Sequence, residues 1–238
     1  MQLTVNAMST VSTSTTGRRY PMPFTRLEIA VLALVDGQLQ VLLARRAEAP
    51  FAGKWALPGG VLRIDLDESL EAGVRRIAHE RLGTEVPYLR QLIAVGGPRR
   101  DPTRTPWALS IVYRALLGSG DLRLAAGKRV EELAWHPAEK AAADRSLAFD
   151  HGALIARAID ATRAEVRDLD LPAGFLPESF TLGELQTMCE QTLGQHIDKS
   201  SFRRRLADRE IVEPVVGEMR TGANRPAQIY RLRRSAPN

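Results

Sequence analysis

A single cysteine, Cys189, and four histidines are all the thiol and imidazole in the 238 residues. One thiol excludes an internal disulfide, and so small a ligand supply argues against a structural zinc site. No apolar run approaches the roughly 18–20 residues that span a bilayer, so no membrane partner is expected. The N-terminus lacks the order of a secretory signal, because its Ser/Thr-rich stretch precedes the basic pair Arg18-Arg19. Residues 1–24 read as a disordered tail, and the cytoplasm is the expected compartment. A charge imbalance is also missing over most of the chain. Of 33 basic and 28 acidic side chains, residues 1–194 hold 23 of each, so the net +5 falls entirely in 195–238. A basic segment beside a neutral body is the electrostatic footprint of polyanion binding.

Hydrophobic content of 44% and charged content of 26% are ordinary for a globular chain, and the length suits two unequal domains. Leu27–Val35 is a continuous apolar run of strand length. Asp36-Gly37 is a hairpin turn signal, answered by a strand over Leu39–Ala44. Further strands are predicted over Leu89–Val95, Trp107–Leu117 and Leu133–His136. Between them, Leu70, Val74, Ile77 and Ala78 recur at helical spacing. Asp67 is the expected N-cap acceptor of that helix, Glu68 lies near its positive end, and Gly83 is its stop. Phe149–Asp168 is a long amphipathic helix. Strands on both sides of a central helix predict an α/β sandwich over 25–170.

Leu171–Pro177 is a Pro/Gly break, giving an expected linker over 171–180 and a second domain over 181–238. Thr181 and Glu184 form a capping box, and Phe180 can staple onto Leu185. Asp198 caps a second helix in which Phe202 and Leu206 face inward, leaving Ser200, Arg203, Arg204 and Ala207 on the far side. Strands over Ile211–Val216 and Ala227–Leu232 complete the order of a winged helix, whose second helix enters the major groove while the wing lies on phosphates.

The stretch Trp55–Gly83 resembles the Nudix box, G-x5-E-x7-R-E-U-x-E-E-x-G-U with U a bulky apolar residue. Its first Glu falls on Glu68 and its Arg on Arg76, which permits the usual ion pair. The three later carboxylate positions fall on Ile77, Glu80 and Arg81. A hard divalent cation needs several carboxylate oxygens, and i, i+3, i+4 spacing places three on one face. Here one remains. The loop from Gly60 to Glu68 is also two residues longer than the pattern. Glu68, Arg76 and Glu80 therefore read as a vestigial box, with no catalytic residue and no metal site expected.

Five segments in order, VLLARRAEAPFAGKWALPGG, Arg100-Asp101-Pro102, LAFDH at 147–151, DKSSFRRRL at 198–206 and RPAQIYRL at 225–232, resemble the NrtR family of Nudix-related transcriptional regulators. The resemblance implies an N-terminal Nudix-like α/β/α sandwich with a C-terminal winged helix-turn-helix domain. It further implies a homodimeric repressor of NAD biosynthesis or salvage genes, requiring no cofactor, in which ADP-ribose binds the Nudix domain and releases operator DNA. Arg45, Arg46, Lys54 and Trp55 flank the expected effector cleft. The basic side chains are either pyrophosphate ligands or strand-end surface charges, and Trp55 and Trp107 either stack on adenine or belong to the core. Lys199, Ser200, Ser201, Arg203 and Arg204 on the second helix, and Arg225 on the wing, are the expected DNA contacts. His151 reads as structural. Two other functions stay open: an active Nudix hydrolase of ADP-ribose or a related nucleoside diphosphate with an accessory basic unit, and a DNA-binding protein on an inert Nudix-like scaffold.

Overall fold

The long apolar run becomes the central strand. In a computed structural model, which describes residues 22–86, 88–98, 100–101, 106–117, 124–221 and 226–233, β1 spans Phe24–Val35. It is buried on both faces because helices cover both, which is why its sequence shows no polar alternation beyond Glu28. Asp36 and Gly37, at φ 49° and 73°, turn the chain into β2, Gln38–Arg46. Positive φ at both positions is the hairpin geometry that Asp-Gly favours. After β3, Trp55–Ala56, and β4, Gly59–Val61, comes helix α1, Leu70–Leu82. Strands β5, Arg90–Gly97, β6, Ala108–Leu117, and β7, Val130–Pro137, complete a sheet of order β3-β2-β1-β6-β5, with β4 pairing β1 and β7 pairing β2. A short helix α2, Ala138–Ala143, leads to α3, His151–Arg167.

Alternate residues of β1 feed two cores. Leu27, Ile29 and Val31 pack with Val74, Ile77, Ala78 and Leu82 of α1. Ala30, Leu32 and Leu34 pack with Leu154, Ile155, Ala158 and Ile159 of α3. This is the expected α/β/α sandwich. The second core does not stop at the domain edge. It continues through Phe175, Phe180, Leu185, Cys189, Phe202 and Leu206. The stretch expected as a linker thus forms a 3-10 turn, Ala173–Phe175, with Phe175 and Phe180 fully buried.

The C-terminal unit comprises β8, Phe180–Thr181, α4, Leu182–Leu193, α5, Lys199–Arg209, β9, Val212–Arg220, and β10, Ala227–Leu232. Its sheet order is β8-β10-β9. Both halves of the capping box form: Thr181 Oγ1 accepts from Glu184 N at 3.2 Å, and Glu184 Oε2 accepts from Thr181 N at 2.8 Å. Gly194 ends α4 at φ 68°. Strand β9 runs four residues past the Val216 end expected from sequence. Gly217, at φ 80°, makes a bulge rather than the turn. The Gln228 amide fills that bulge by donating to Val215 O at 2.8 Å and Glu218 O at 3.1 Å.

Two expectations at the start of α1 need correction. The N-cap is Ser69, whose hydroxyl accepts from Ala72 N at 3.1 Å, not Asp67. Asp67 instead binds Arg76 through Nε and Nη2, both at 2.7 Å, replacing the expected Glu68–Arg76 pair. The loop explains both: Arg63 N donates to Asp67 Oδ2 at 2.8 Å, curling the chain so that Asp67 points inward while Glu68 is exposed. The tail expected over 1–24 lies outside the described residues up to Tyr20 and Pro21, and its last residue, Phe24, already opens β1.

Candidate effector cleft and nucleic-acid interface

The ends of β1, β2 and β4 and the last turn of α1 enclose a cleft. Its walls carry five arginines, Arg26, Arg45, Arg46, Arg81 and Arg129, against one carboxylate, Glu48. Glu48 is itself paired to Arg129 at 3.3 Å. Arg45 is held by Glu131 at 3.4 Å and by Gly53 O at 3.2 Å, and Arg46 Nε donates to Pro50 O at 2.7 Å. The backbone of Leu57–Gly60 forms the opposite wall. Concentrated cationic charge in a partly closed cleft attracts a phosphate-bearing anion. Of the four side chains expected here, Arg45 and Arg46 line the cleft. Lys54 lies 5.8 Å above the Phe51 ring, and Trp55, partly buried against the core, packs edge-on on His136 at 4.8 Å. Trp107 is 45% exposed.

A Nudix-type fold implies a divalent cation on the cleft face of α1, and the residues present do not fit one. Ile77 is fully buried in the α1 core. Glu80 is engaged by Arg76 at 3.4 Å. Arg81 puts a guanidinium where a ligand carboxylate belongs. Its Nε donates to Gly59 O at 3.0 Å and its Nη1 donates to Lys128 O. Burial holds the Arg81 guanidinium below its ordinary value; Glu80 opposes this, while Arg129, Arg26 and Arg76 add to it. Among the described residues no group of three His, Cys, Asp or Glu side chains is placed to hold a metal ion.

Behind the cleft lies a charged cluster that sequence reasoning missed. Glu28, 1% exposed, lies 3.2 Å from Arg26 Nε and 3.6 Å from Arg100 Nη2. His151, the first residue of α3, accepts from Leu57 N at its Nδ1 at 2.8 Å, so its proton sits on Nε2, which lies 2.9 Å from Glu28 Oε2. Burial pushes the Glu28 carboxyl up, but the contact with His151 and the charges of Arg26 and Arg100 outweigh it and hold the group far below the usual carboxylate range. The available signal was a pair of charges, at 26 and 28, on one face of an otherwise apolar strand. Arg100 of the Arg100-Asp101-Pro102 segment and His151 of LAFDH, quoted above only as family likeness, meet at that pair.

The second surface is α5. Asp198 caps it by accepting from Ser201 N at 2.8 Å and from Ser200 Oγ at 2.7 Å. Phe202 and Leu206 are buried, which turns Lys199, Ser200, Arg203 and Arg204 to solvent and leaves Ser201 half-buried. Among the described residues no carboxylate pairs with Lys199, Arg203 or Arg204. The other two arginines face the first domain: Arg205 donates to Arg167 O and Arg209 to Asp168 O. Arg225 lies outside the described residues.

Helix α3 touches both surfaces. Its first residue, His151, is fixed to the cleft wall at Leu57. Arg163 donates to Thr192 O of α4 at 3.1 Å, and its last carbonyls receive α5. Seventeen residues make a rod of roughly 25 Å.

Comparison with known proteins reads both units together. A family model described as NUDIX domain matches residues 25–158, and one described as NrtR DNA-binding winged helix domain matches 172–232. The chain is 34% identical over 213 residues to the ADPR responsive transcriptional repressor NtrR of Acinetobacter baylyi, covering 90% of this chain and 83% of that relative. The chain belongs to the NrtR family. It superposes on the crystal structure of Shewanella oneidensis NrtR complexed with a 27mer DNA with a TM-score of 0.74 and 34% identity, over 88% of this chain and 93% of that one. The NUDIX domain of the same Shewanella NrtR, solved as a cocrystal with ADP ribose, matches 60% of this chain and 90% of its own length at 33% identity and a TM-score of 0.52. Among the described residues of this NrtR-family chain, no helix is long and apolar enough to cross a membrane.

Proposed function

We propose that this chain is a transcriptional repressor of NAD biosynthesis or salvage genes, acting from the cytoplasm as a homodimer on operator DNA and released by ADP-ribose. It performs no catalysis in this reading. The observation that carries it is α3, which starts at the arginine-lined cleft and ends under α5. A ligand in the cleft contacts Arg26 and the Leu57–Gly60 wall, and these are tied through Glu28 and His151 to the start of α3. Any shift or rotation of α3 carries the Arg167 and Asp168 carbonyls, and α5 with them. In a homodimer the two α5 helices must reach half-sites roughly 34 Å apart, so a small change in their spacing lowers operator affinity. Lys199, Arg203 and Arg204 meet phosphates or base edges, with Ser200 and Ser201 at the helix start.

The relatives support the two ligands: one is named for its response to ADPR, and one was crystallised with DNA and, as a NUDIX domain, with ADP ribose. A hydrolase reading would need carboxylates where Ile77 and Arg81 stand. The test is a mobility shift with the protein's own upstream DNA, with and without ADP-ribose. Salt-sensitive retardation that ADP-ribose relieves is expected; a protein that ignores its promoter region at low salt overturns the reading.

A further inference from the structure

We propose that Arg81 takes the place of the divalent cation of Nudix enzymes: its guanidinium grips the diphosphate of the effector directly, so this cleft binds a nucleoside diphosphate without metal. The inference rests on the effector reading above and specifies its chemistry. In the Nudix-box register Arg81 stands at a carboxylate position on the cleft face of α1, and it lines the cleft. A metal bound by carboxylates presents positive charge to phosphate oxygens. A guanidinium at that place presents charge as well, in a planar fork that matches a phosphate.

The side chain is fixed for the task. Nε is anchored on Gly59 O and Nη1 on Lys128 O, which orients the plane. Nη2 makes no hydrogen bond among the described residues. It lies 3.6 Å from the point where a Cβ on Gly60 would stand, beside the glycine turn that lines the cleft. Buried Ile77 flanks the same point at 3.0 Å and supplies no competing polar group. Glu80 is paired with Arg76 and Glu48 with Arg129, so neither carboxylate forms an ion pair with Arg81 among the described residues. Arg26, Arg76 and Arg129 all lie near enough to depress the Arg81 guanidinium, a mutual repulsion that an incoming dianion relieves.

The test is calorimetry of ADP-ribose binding to the full-length protein, once in excess EDTA and once in millimolar Mg2+. The wild type should bind equally well in both. Arg81→Gln should weaken binding in EDTA by roughly 10- to 100-fold, the loss of one charged hydrogen-bonding group. Arg81→Glu should abolish binding in EDTA and recover part of it on adding Mg2+, because the substitution restores a ligand carboxylate. Thermal unfolding of each variant reports whether the fold survives; if neither does, the wild-type comparison decides alone. Wild-type binding that requires Mg2+, or Arg81→Gln binding as tightly as wild type in EDTA, overturns this inference and leaves the effector reading standing. A wild type that binds no ADP-ribose in either buffer removes the effector reading, and this inference with it.

Discussion

His151 Nε2 lies 2.9 Å from Glu28 Oε2, and through this contact the first residue of α3 is held on the central strand behind the cleft. Leu57 N donates to the other ring nitrogen, and Arg26 and Arg100 also face the Glu28 carboxylate. Removing the carboxylate leaves those guanidinium groups without their shared partner. Glu28→Gln should cost about 3–5 kcal/mol of stability, the usual consequence of breaking a buried ion pair from one side. Urea unfolding at pH 7 measures it.

The same carboxylate gives a pH dependence of definite sign. Its folded value lies far below the unfolded one of about 4.3. A depressed carboxylate contributes stability in full above the unfolded value and loses it as pH falls toward the folded one. Wild-type stability should therefore decline below about pH 4.3, and Glu28→Gln should have a flatter acid limb over the same range. Parallel acid limbs would show that Glu28 is not the group responsible.

On α5, the outward and inward arginines should separate by phenotype. Arg203→Ala and Arg204→Ala remove solvent-facing charges at the expected phosphate contacts, so each should lower the slope of log affinity against log salt by roughly one. ADP-ribose binding should stay unchanged. Fluorescence anisotropy with labelled operator DNA over a salt series checks this.

Arg205 donates instead to the last carbonyl of α3, at Arg167, and Arg209 to that of its C-cap, Asp168. Arg205→Ala with Arg209→Ala should leave ADP-ribose affinity intact but shrink the ratio of operator affinities measured without and with ADP-ribose. Coupling energies of this kind are about 1–3 kcal/mol, so the wild-type ratio should fall between about 5 and 150, and the double variant should approach one. An undiminished ratio would mean that the signal travels by another route.

The continuous core predicts that the two units unfold together. All three tryptophans lie in the Nudix unit, whereas buried Cys189 lies in α4. Burial pushes the Cys189 thiol up to about 12, with Glu190 adding to the effect and Arg205 opposing it, so it should resist alkylation until the fold opens. Tryptophan fluorescence and Cys189 labelling should then give the same urea midpoint. Phe175→Ala, which empties a fully buried site between the units, should cost about 3–5 kcal/mol of stability and lower both midpoints together.

Much of this molecule is local, and the local part is legible in the chain. The Asp36-Gly37 turn, the Thr181–Glu184 capping box, the αL stops at Gly83 and Gly194 and the inward pair Phe202 and Leu206 each depend on residues within one turn of one another. That Ile77 and Arg81 offer no carboxylate oxygen to a metal could likewise be read directly from the chain, because residue identity alone decides it. What joins distant positions could not be read this way. Whether Asp67 or Glu68 takes Arg76 depends on how the Arg63–Asp67 loop curls, and a shift of one residue changes the partner. Trp55 and Lys54 adjoin the cleft in sequence, yet strand direction packs Trp55 against the core, while Arg26, Arg81 and Arg129 reach the cleft from three separate segments. Only the packing of α3 against both units brings His151 to Glu28 at one end and Arg205 to Arg167 at the other, linking the arginine-lined cleft to α5.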